Sequence, residues 1–191
     1  MNSEAINHKN IFYPPGGILI WIIIFLELIT FGGVLIAMVF SSKEAPELFH
    51  TSRLQLNTAI GTINTIFLIS SGFFMAKSVA ELKNQNIKKS SLFLNLTMLG
   101  GFLFLALKSV EYYFKIEAGL TINYNTFFTY YWLLTLFHVV HVIVGLVILL
   151  IVDRSLKKNK TNLEDFEASA AFWHMCDLIW LLIFPIIYLI F

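Results

Sequence analysis

The sequence predicts an all-α integral membrane protein, a bundle of five transmembrane helices. Of its 191 residues, 58% are apolar and only 13% are charged, whereas charged residues make up about 25% of a typical soluble domain. The mean hydropathy is +0.76. A soluble chain of this size has too little interior to bury so many apolar side chains, which excludes water-soluble folds. The balance of 13 basic and 12 acidic residues also excludes a nucleic-acid binder.

Five continuous apolar runs are long enough to cross a bilayer, which requires about 20 residues for about 30 Å of hydrocarbon. None of them shows the alternating pattern of a transmembrane strand. We predict the spans Ile18–Phe40, Leu56–Ala76, Leu92–Phe114, Phe127–Val152 and Ala168–Ile190. We expect residues 1–17 to form a polar cytoplasmic segment and residues 18–191 to form a single membrane domain.

The first span carries a carboxyl group near its middle. Glu27 lies nine residues into the span, about 14 Å deep at the helical rise. An isolated charge at the bilayer centre costs at least about 2.5–3.5 kcal/mol, so this group needs a partner or a purpose. It is either a protonatable carboxyl on a proton route or lipid-headgroup cleft, or a protonated carboxyl hydrogen-bonded to another helix. Candidate partners are His138, His141 and the asparagines of the second span.

The second span carries a polar stripe, because Asn57, Asn64 and Ser71 recur every seven residues and therefore share one helix face. Lipid cannot satisfy such a stripe, so we expect this helix to pack inside the bundle. Asn57 and Asn64 are then polar ties between helices.

The third span contains two opposite charges near its outer end. Lys108 and Glu111 are three residues apart, a spacing at which side chains on one helix face can meet. We expect a structural ion pair, and the Lys108 ammonium can also extend toward the interface.

The fourth and fifth spans contribute three histidines. His138 and His141 are three residues apart, as are His174 and Asp177, so the Asp177 carboxylate can orient the His174 ring. Imidazole ligates haem, and a membrane b-type cytochrome using His138 or His141 with His174 is one alternative. Hydrogen bonds between helices are the other. Di-iron bundles carry a Glu-x-x-His pattern on two of their helices, and none of the five predicted spans contains it.

The basic residues predict the orientation. Three lie on one side (Lys43, Arg53 and Lys115) and nine on the other: Lys9, Lys77, Lys83, Lys88, Lys89, Arg154, Lys157, Lys158 and Lys160. Cytoplasmic loops carry the excess of lysine and arginine, so we expect a cytoplasmic N-terminus and a C-terminus outside.

The last span carries a recognisable pattern, FEASAAFWHMCDLIW at residues 166–180. It resembles the final-helix signature F-E-x-x-x-x-x-W-H-F-x-D-x-x-W of subunit III of haem-copper oxidases. Further motifs of this family follow the same order in the chain: Glu27 with Phe31-Gly32, Leu56-Asn57-Thr58 with Ser70-Ser71-Gly72, Glu111-Tyr112, Phe127-Phe128, and His138-x-x-His141-Val142-x-x-Gly145. The resemblance covers residues 18–190 and is to the short five-helix bacterial branch of the family.

The resemblance implies a non-catalytic subunit of a terminal oxidase in the aerobic respiratory chain of a bacterial inner membrane. Such a subunit binds no haem or copper, packs on subunit I, holds phospholipids, and supports assembly and proton uptake while its partners reduce oxygen and translocate protons. Glu27 is then the buried family carboxyl. The interhelical ties would be Glu111, His138, His141, Glu167, His174 and Asp177. An accessory protein of a nitric oxide reductase belongs to the same branch and stays open as an alternative, as does a proton-linked transporter of another class.

Overall fold

The computed structural model describes residues 14–158 and 162–191. Within these residues the chain forms six α-helices and a final π-helical turn, without a β-strand. The elements are α1 (Ile18–Glu44), α2 (Pro46–Leu54), α3 (Thr58–Lys83), α4 (Ile87–Glu117), α5 (Thr126–Lys157), α6 (Leu163–Pro185) and the turn Ile186–Ile190. Most of the predicted polar segment 1–17, with Lys9, lies outside the described residues, as does Lys160.

Among the described residues, five helices are long and apolar enough to cross a membrane: α1, α3, α4, α5, and α6 with its final turn. This confirms the predicted all-α fold and its five spans. The helices extend beyond the apolar runs, and polar residues at their ends form hydrogen bonds with the helix backbone. Asparagine side chains accept hydrogen bonds from backbone N–H groups at the start of four helices, namely Asn57, Asn86, Asn125 and Asn162.

The short helix α2 lies in the connection between the first two predicted spans, where no helix was predicted. It begins with Pro46 in its first turn, with Glu47 beside it, and has Arg53 in its last turn. Proline fits the first turn of a helix, and these charges complement the helix dipole. The sequence thus contains signals for this helix. A nine-residue amphipathic helix is too short and too polar to be identified as a membrane span by its hydropathy.

The packing places α6 at the centre of the bundle. α6 contacts α3, α5 and α1, while α3 and α4 form the most extensive helix pair. The Trp173 ring of α6 is wedged against two glycines, Gly101 of α4 and Gly145 of α5. A Cβ atom would lie 2.6 Å from this ring at position 101 and 2.9 Å from it at position 145. Close approach of three helices therefore requires these two glycines.

The α3–α4 pair is held by hydroxyl groups that bond across the helix interface. Ser78 Oγ donates to the Ser90 carbonyl oxygen at 2.7 Å, and Ser90 Oγ donates back to the Ser78 carbonyl at 2.9 Å. Nearer the bundle centre, Ser71 Oγ donates to the Thr97 carbonyl at 2.7 Å. Small hydroxyl residues bring two membrane helices close and bond them at the same time.

Candidate functional site

The most elaborate polar cluster surrounds Lys108, which is completely buried. Its Nζ donates to Glu111 Oε2 at 3.0 Å, to the Tyr188 hydroxyl at 2.8 Å and to the Tyr131 hydroxyl at 3.4 Å. The Tyr131 and Tyr188 hydroxyls in turn donate to Glu111 Oε1 at 2.9 and 2.6 Å. The cluster carries one positive and one negative charge, and it bonds α4 to α5 and to the final turn. We call these four residues the lysine cluster.

Aromatic rings close the remaining sides of the buried ammonium group. Lys108 Nζ lies 5.2 Å from the ring centroid of Tyr112 and 5.1 Å from that of Trp180. Ring faces attract a cation at this distance, most strongly when water is excluded. The Lys108–Glu111 pair was predicted from the sequence, whereas the contacts with Tyr131 and Tyr188 were not. The sequence did contain a signal for such partners. A charged pair in the membrane is costly, so Lys108 and Glu111 need further hydrogen-bonding groups from other spans.

Glu27 of α1 faces His141 of α5. Glu27 Oε2 lies 3.3 Å from His141 Nε2, and both side chains are largely buried. The other ring nitrogen, Nδ1, lies 2.8 Å from the Phe137 carbonyl oxygen one turn earlier in α5. Of the three partners that the sequence suggested for Glu27, the structure therefore brings His141 to it.

His138 occupies a different environment from His141, although the two lie one turn apart. Its ring is fully buried and packs against Phe104 and Trp180 at centroid distances of 5.6 and 5.2 Å. Neither ring nitrogen has a hydrogen-bond partner among the described residues.

The residues of the polar stripe in the second span have two different roles: Asn57 caps the helix, whereas Asn64 and Ser71 are buried. Asn57 accepts hydrogen bonds from the backbone N–H groups of Ala59 and Ile60 in its own helix. Asn64 is fully buried, and within the described ranges its amide group has no hydrogen-bond partner. The burial of Asn64 and Ser71 shows that this face of α3 packs against other helices, as the stripe indicated.

His174 and Asp177 lie on one face of α6, with Nδ1 and Oδ2 3.5 Å apart, which is longer than a normal hydrogen bond. The His174 side chain is 44% exposed and that of Asp177 is 11% exposed. The Asp177 carboxylate lies against Gly72 of α3, where a Cβ atom would collide with it. The glycine of the Ser70-Ser71-Gly72 motif thus makes room for Asp177.

A groove of about 510 Å³ lies between α1, α3 and α6. Its walls are mainly apolar and include Trp21, Ile24, Val79 and Met175, while His174 lies on one side. Lys83 and Glu167 lie together at one end, where Lys83 Nζ is 2.7 Å from Glu167 Oε1. This ion pair bonds α3 to α6 and gives an otherwise apolar groove a charged end.

The described part of the chain contains no group of three or more His, Cys, Asp or Glu side chains that could hold a metal ion. The three histidines considered as haem ligands lie in separate environments. His138 packs against aromatic rings, His141 lies beside Glu27, and His174 lies beside Asp177. The fold and its buried polar groups thus define a multi-pass helical membrane protein.

Comparison with known proteins identifies the family. A family model described as cytochrome c oxidase subunit III matches residues 17–190, which include all five spans. The chain belongs to the cytochrome c oxidase subunit III family, as the motifs indicated.

Individual relatives agree with this assignment. The cytochrome c oxidase subunit 3 of Synechocystis sp. is 34% identical over 140 residues, which are 71% of this chain and 59% of that protein. The chain thus spans about three fifths of that relative's length. The Corynebacterium diphtheriae cytochrome c oxidase subunit 3 is 28% identical, covering 98% of this chain and 99% of that protein.

A third relative is named for a different electron donor. The cytochrome bo(3) ubiquinol oxidase subunit 3 of Buchnera aphidicola subsp. Baizongia pistaciae is 32% identical over 130 residues, 66% of this chain and 67% of that protein. All three relatives are named as oxidase subunits. The comparisons therefore favour neither the nitric oxide reductase accessory protein nor the membrane cytochrome.

Proposed function

We propose that this chain is a non-catalytic subunit of a terminal haem-copper oxidase, whose partner subunits reduce oxygen to water and translocate protons. The observation that carries the proposal is the family match over residues 17–190. The relatives' names, cytochrome c oxidase subunit 3 and cytochrome bo(3) ubiquinol oxidase subunit 3, support it. Haem and copper are assigned to the partners in this proposal, and subunit I is the partner on which the chain packs.

Mild-detergent purification through an N-terminal tag tests the proposal. We expect a haem-copper subunit to co-purify, and its haem spectrum to disappear from the tagged chain when the partners are stripped. A haem spectrum that stays with the isolated chain would instead establish the histidine cytochrome. A nitric oxide reductase as the co-purified partner would overturn the oxidase assignment.

We further propose that the groove between α1, α3 and α6 holds a phospholipid. Its apolar walls suit acyl chains, and Lys83 and Glu167 at its end offer charges to a headgroup. Ala76 lines the groove, so Ala76→Trp should reduce the lipid that is retained through purification. Ala37→Trp places the same side chain on an exposed face of α1 and is the matched control. Equal lipid retention in both variants would contradict the groove as the binding site.

Glu27 is proposed as the carboxyl group that supports proton uptake or lipid binding. We expect Glu27→Ala to leave the haem content of the complex intact but to lower its assembly, lipid retention or sustained turnover. Glu44→Ala removes an exposed carboxylate at the end of the same helix and is the control. Unchanged behaviour of Glu27→Ala in all three measurements would remove Glu27 from the function.

The proposed location is a bacterial inner membrane, with the N-terminus in the cytoplasm. The helix ends support this orientation, because Lys88 and Lys89 begin α4 at the basic side whereas α2 lies at the opposite side. Cysteine substitutions at Lys88 and Glu47 test it with a membrane-impermeant thiol reagent on intact cells. We expect labelling at position 47 alone, since the native Cys176 is buried. Labelling at position 88 alone would reverse the orientation.

A further inference from the structure

Both ring nitrogens of His141 lie close to oxygen atoms, and the hydrogen bond at Nδ1 determines where the ring hydrogens lie. Nδ1 lies 2.8 Å from the Phe137 carbonyl oxygen. A carbonyl oxygen only accepts hydrogen bonds, so Nδ1 must carry a hydrogen and donate it. In a neutral imidazole one nitrogen is a donor and the other an acceptor. Nε2 of a neutral His141 is therefore an acceptor, and it is the atom that faces Glu27.

Glu27 approaches the Nε2 atom of His141 closely. Its Oε2 lies 3.3 Å from His141 Nε2, and this buried oxygen has no hydrogen-bond partner among the described residues. A carboxylate oxygen and an acceptor nitrogen at this separation would place two lone pairs against each other. One proton between them removes the conflict, either on Oε2 as a carboxylic acid or on Nε2 as an imidazolium facing a carboxylate.

We propose that Glu27 and His141 form one proton-binding unit that holds a single shared proton between Oε2 and Nε2. Transfer within the unit breaks the Oε2–H bond and forms an Nε2–H bond with the ring lone pair, while the Nδ1–H bond stays in place. The number of protons and the net charge of the unit are the same before and after transfer. The inference rests on the proposed role of Glu27 as a protonatable carboxyl, and it assigns His141 as the positioning residue.

The neighbouring helices carry other titratable groups in the middle of their spans, namely His138, His174, Cys176 and Asp177. His174 and Asp177 face each other at 3.5 Å, and His138 packs against aromatic rings. Cys176 is buried in the core of α6. The Glu27 and His141 side chains are 21% and 12% exposed, whereas His138 is fully buried.

Infrared spectroscopy of the full chain in lipid nanodiscs tests the unit at neutral pH. The band of the Glu27 carboxyl is identified by its loss in Glu27→Gln. We expect this band to shift in His141→Gln, because the carboxyl loses the nitrogen that shares its proton. His138→Gln makes the same change one turn earlier in α5 and should leave the band unchanged. An unchanged Glu27 band in His141→Gln, or a shift produced by His138→Gln instead, would overturn the proposal.

Nuclear magnetic resonance of the unaltered chain provides a test that needs no variant. With ¹⁵N-labelled histidine and a ¹³C-labelled Phe137 carbonyl, we expect Nδ1 of His141 to be protonated and coupled to that carbonyl. A hydrogen on Nε2 alone, or a Glu27 carboxylate beside a neutral ring, would refute the shared proton. These spectra come from the chain itself, so their outcome is independent of whether a haem-copper partner co-purifies.

Discussion

Replacing Lys108 by methionine is the most informative single perturbation of this bundle. Methionine fills most of the space of the lysine stem but removes the ammonium group. In the lysine cluster the two tyrosine hydroxyls both donate to Glu111 Oε1, while Lys108 alone donates to Oε2. The variant therefore leaves a charged oxygen without a donor, on a side chain that is only 2% exposed.

The expected loss of stability follows from this unpaired charge on Glu111. Removing one partner of a buried ion pair costs about 3–5 kcal/mol, and we expect Lys108→Met to lower the free energy of unfolding by this amount. Adding Glu111→Gln removes the charge and leaves a neutral unpaired group, which costs about 1–3 kcal/mol. The double variant should therefore be about 2 kcal/mol more stable than Lys108→Met.

Equilibrium unfolding of the purified chain in mixed micelles, followed by tryptophan fluorescence, measures these differences. Lys88→Met is the matched control, since it makes the same change at an exposed lysine at the start of α4, and we expect little change there. A free energy of unfolding of Lys108→Met within about 1 kcal/mol of that of the unaltered chain would refute this prediction. A double variant that is no more stable than Lys108→Met would also refute it.

Two further predictions concern helix packing. Gly101→Ala should destabilise the bundle by about 1–3 kcal/mol, because its Cβ atom would lie 2.6 Å from the Trp173 ring. Gly33→Ala should be neutral or stabilising by up to about 1 kcal/mol, because no atom lies within 4 Å of its Cβ position. Equal melting temperatures for these two variants would contradict the packing. Ser78→Ala removes the 2.7 Å bond to the Ser90 carbonyl, and denaturant titration should show a loss of about 0.6 kcal/mol. A stability equal to that of the unaltered chain would show that this bond contributes nothing.

The features that were predicted correctly from the sequence depend on interactions within one segment. A run of about 20 apolar residues is a property of one segment, and it identifies a span without knowledge of its neighbours. All five spans were predicted correctly for this reason, and the polar stripe of α3 predicted which face of that helix is buried. The spacing of Lys108 and Glu111 likewise predicted their contact, because residues three apart on a helix are neighbours.

The partners of the buried groups required the tertiary structure. Tyr131 and Tyr188 lie 23 and 80 positions from Lys108 along the chain. Nothing in the local pattern distinguishes His141, which faces Glu27, from His138, which packs between aromatic rings. Such contacts depend on the rotation of each helix about its axis and on the order of helices in the bundle. Hydropathy alone determined that this chain crosses a membrane five times, whereas packing between distant segments decided which polar groups meet inside it.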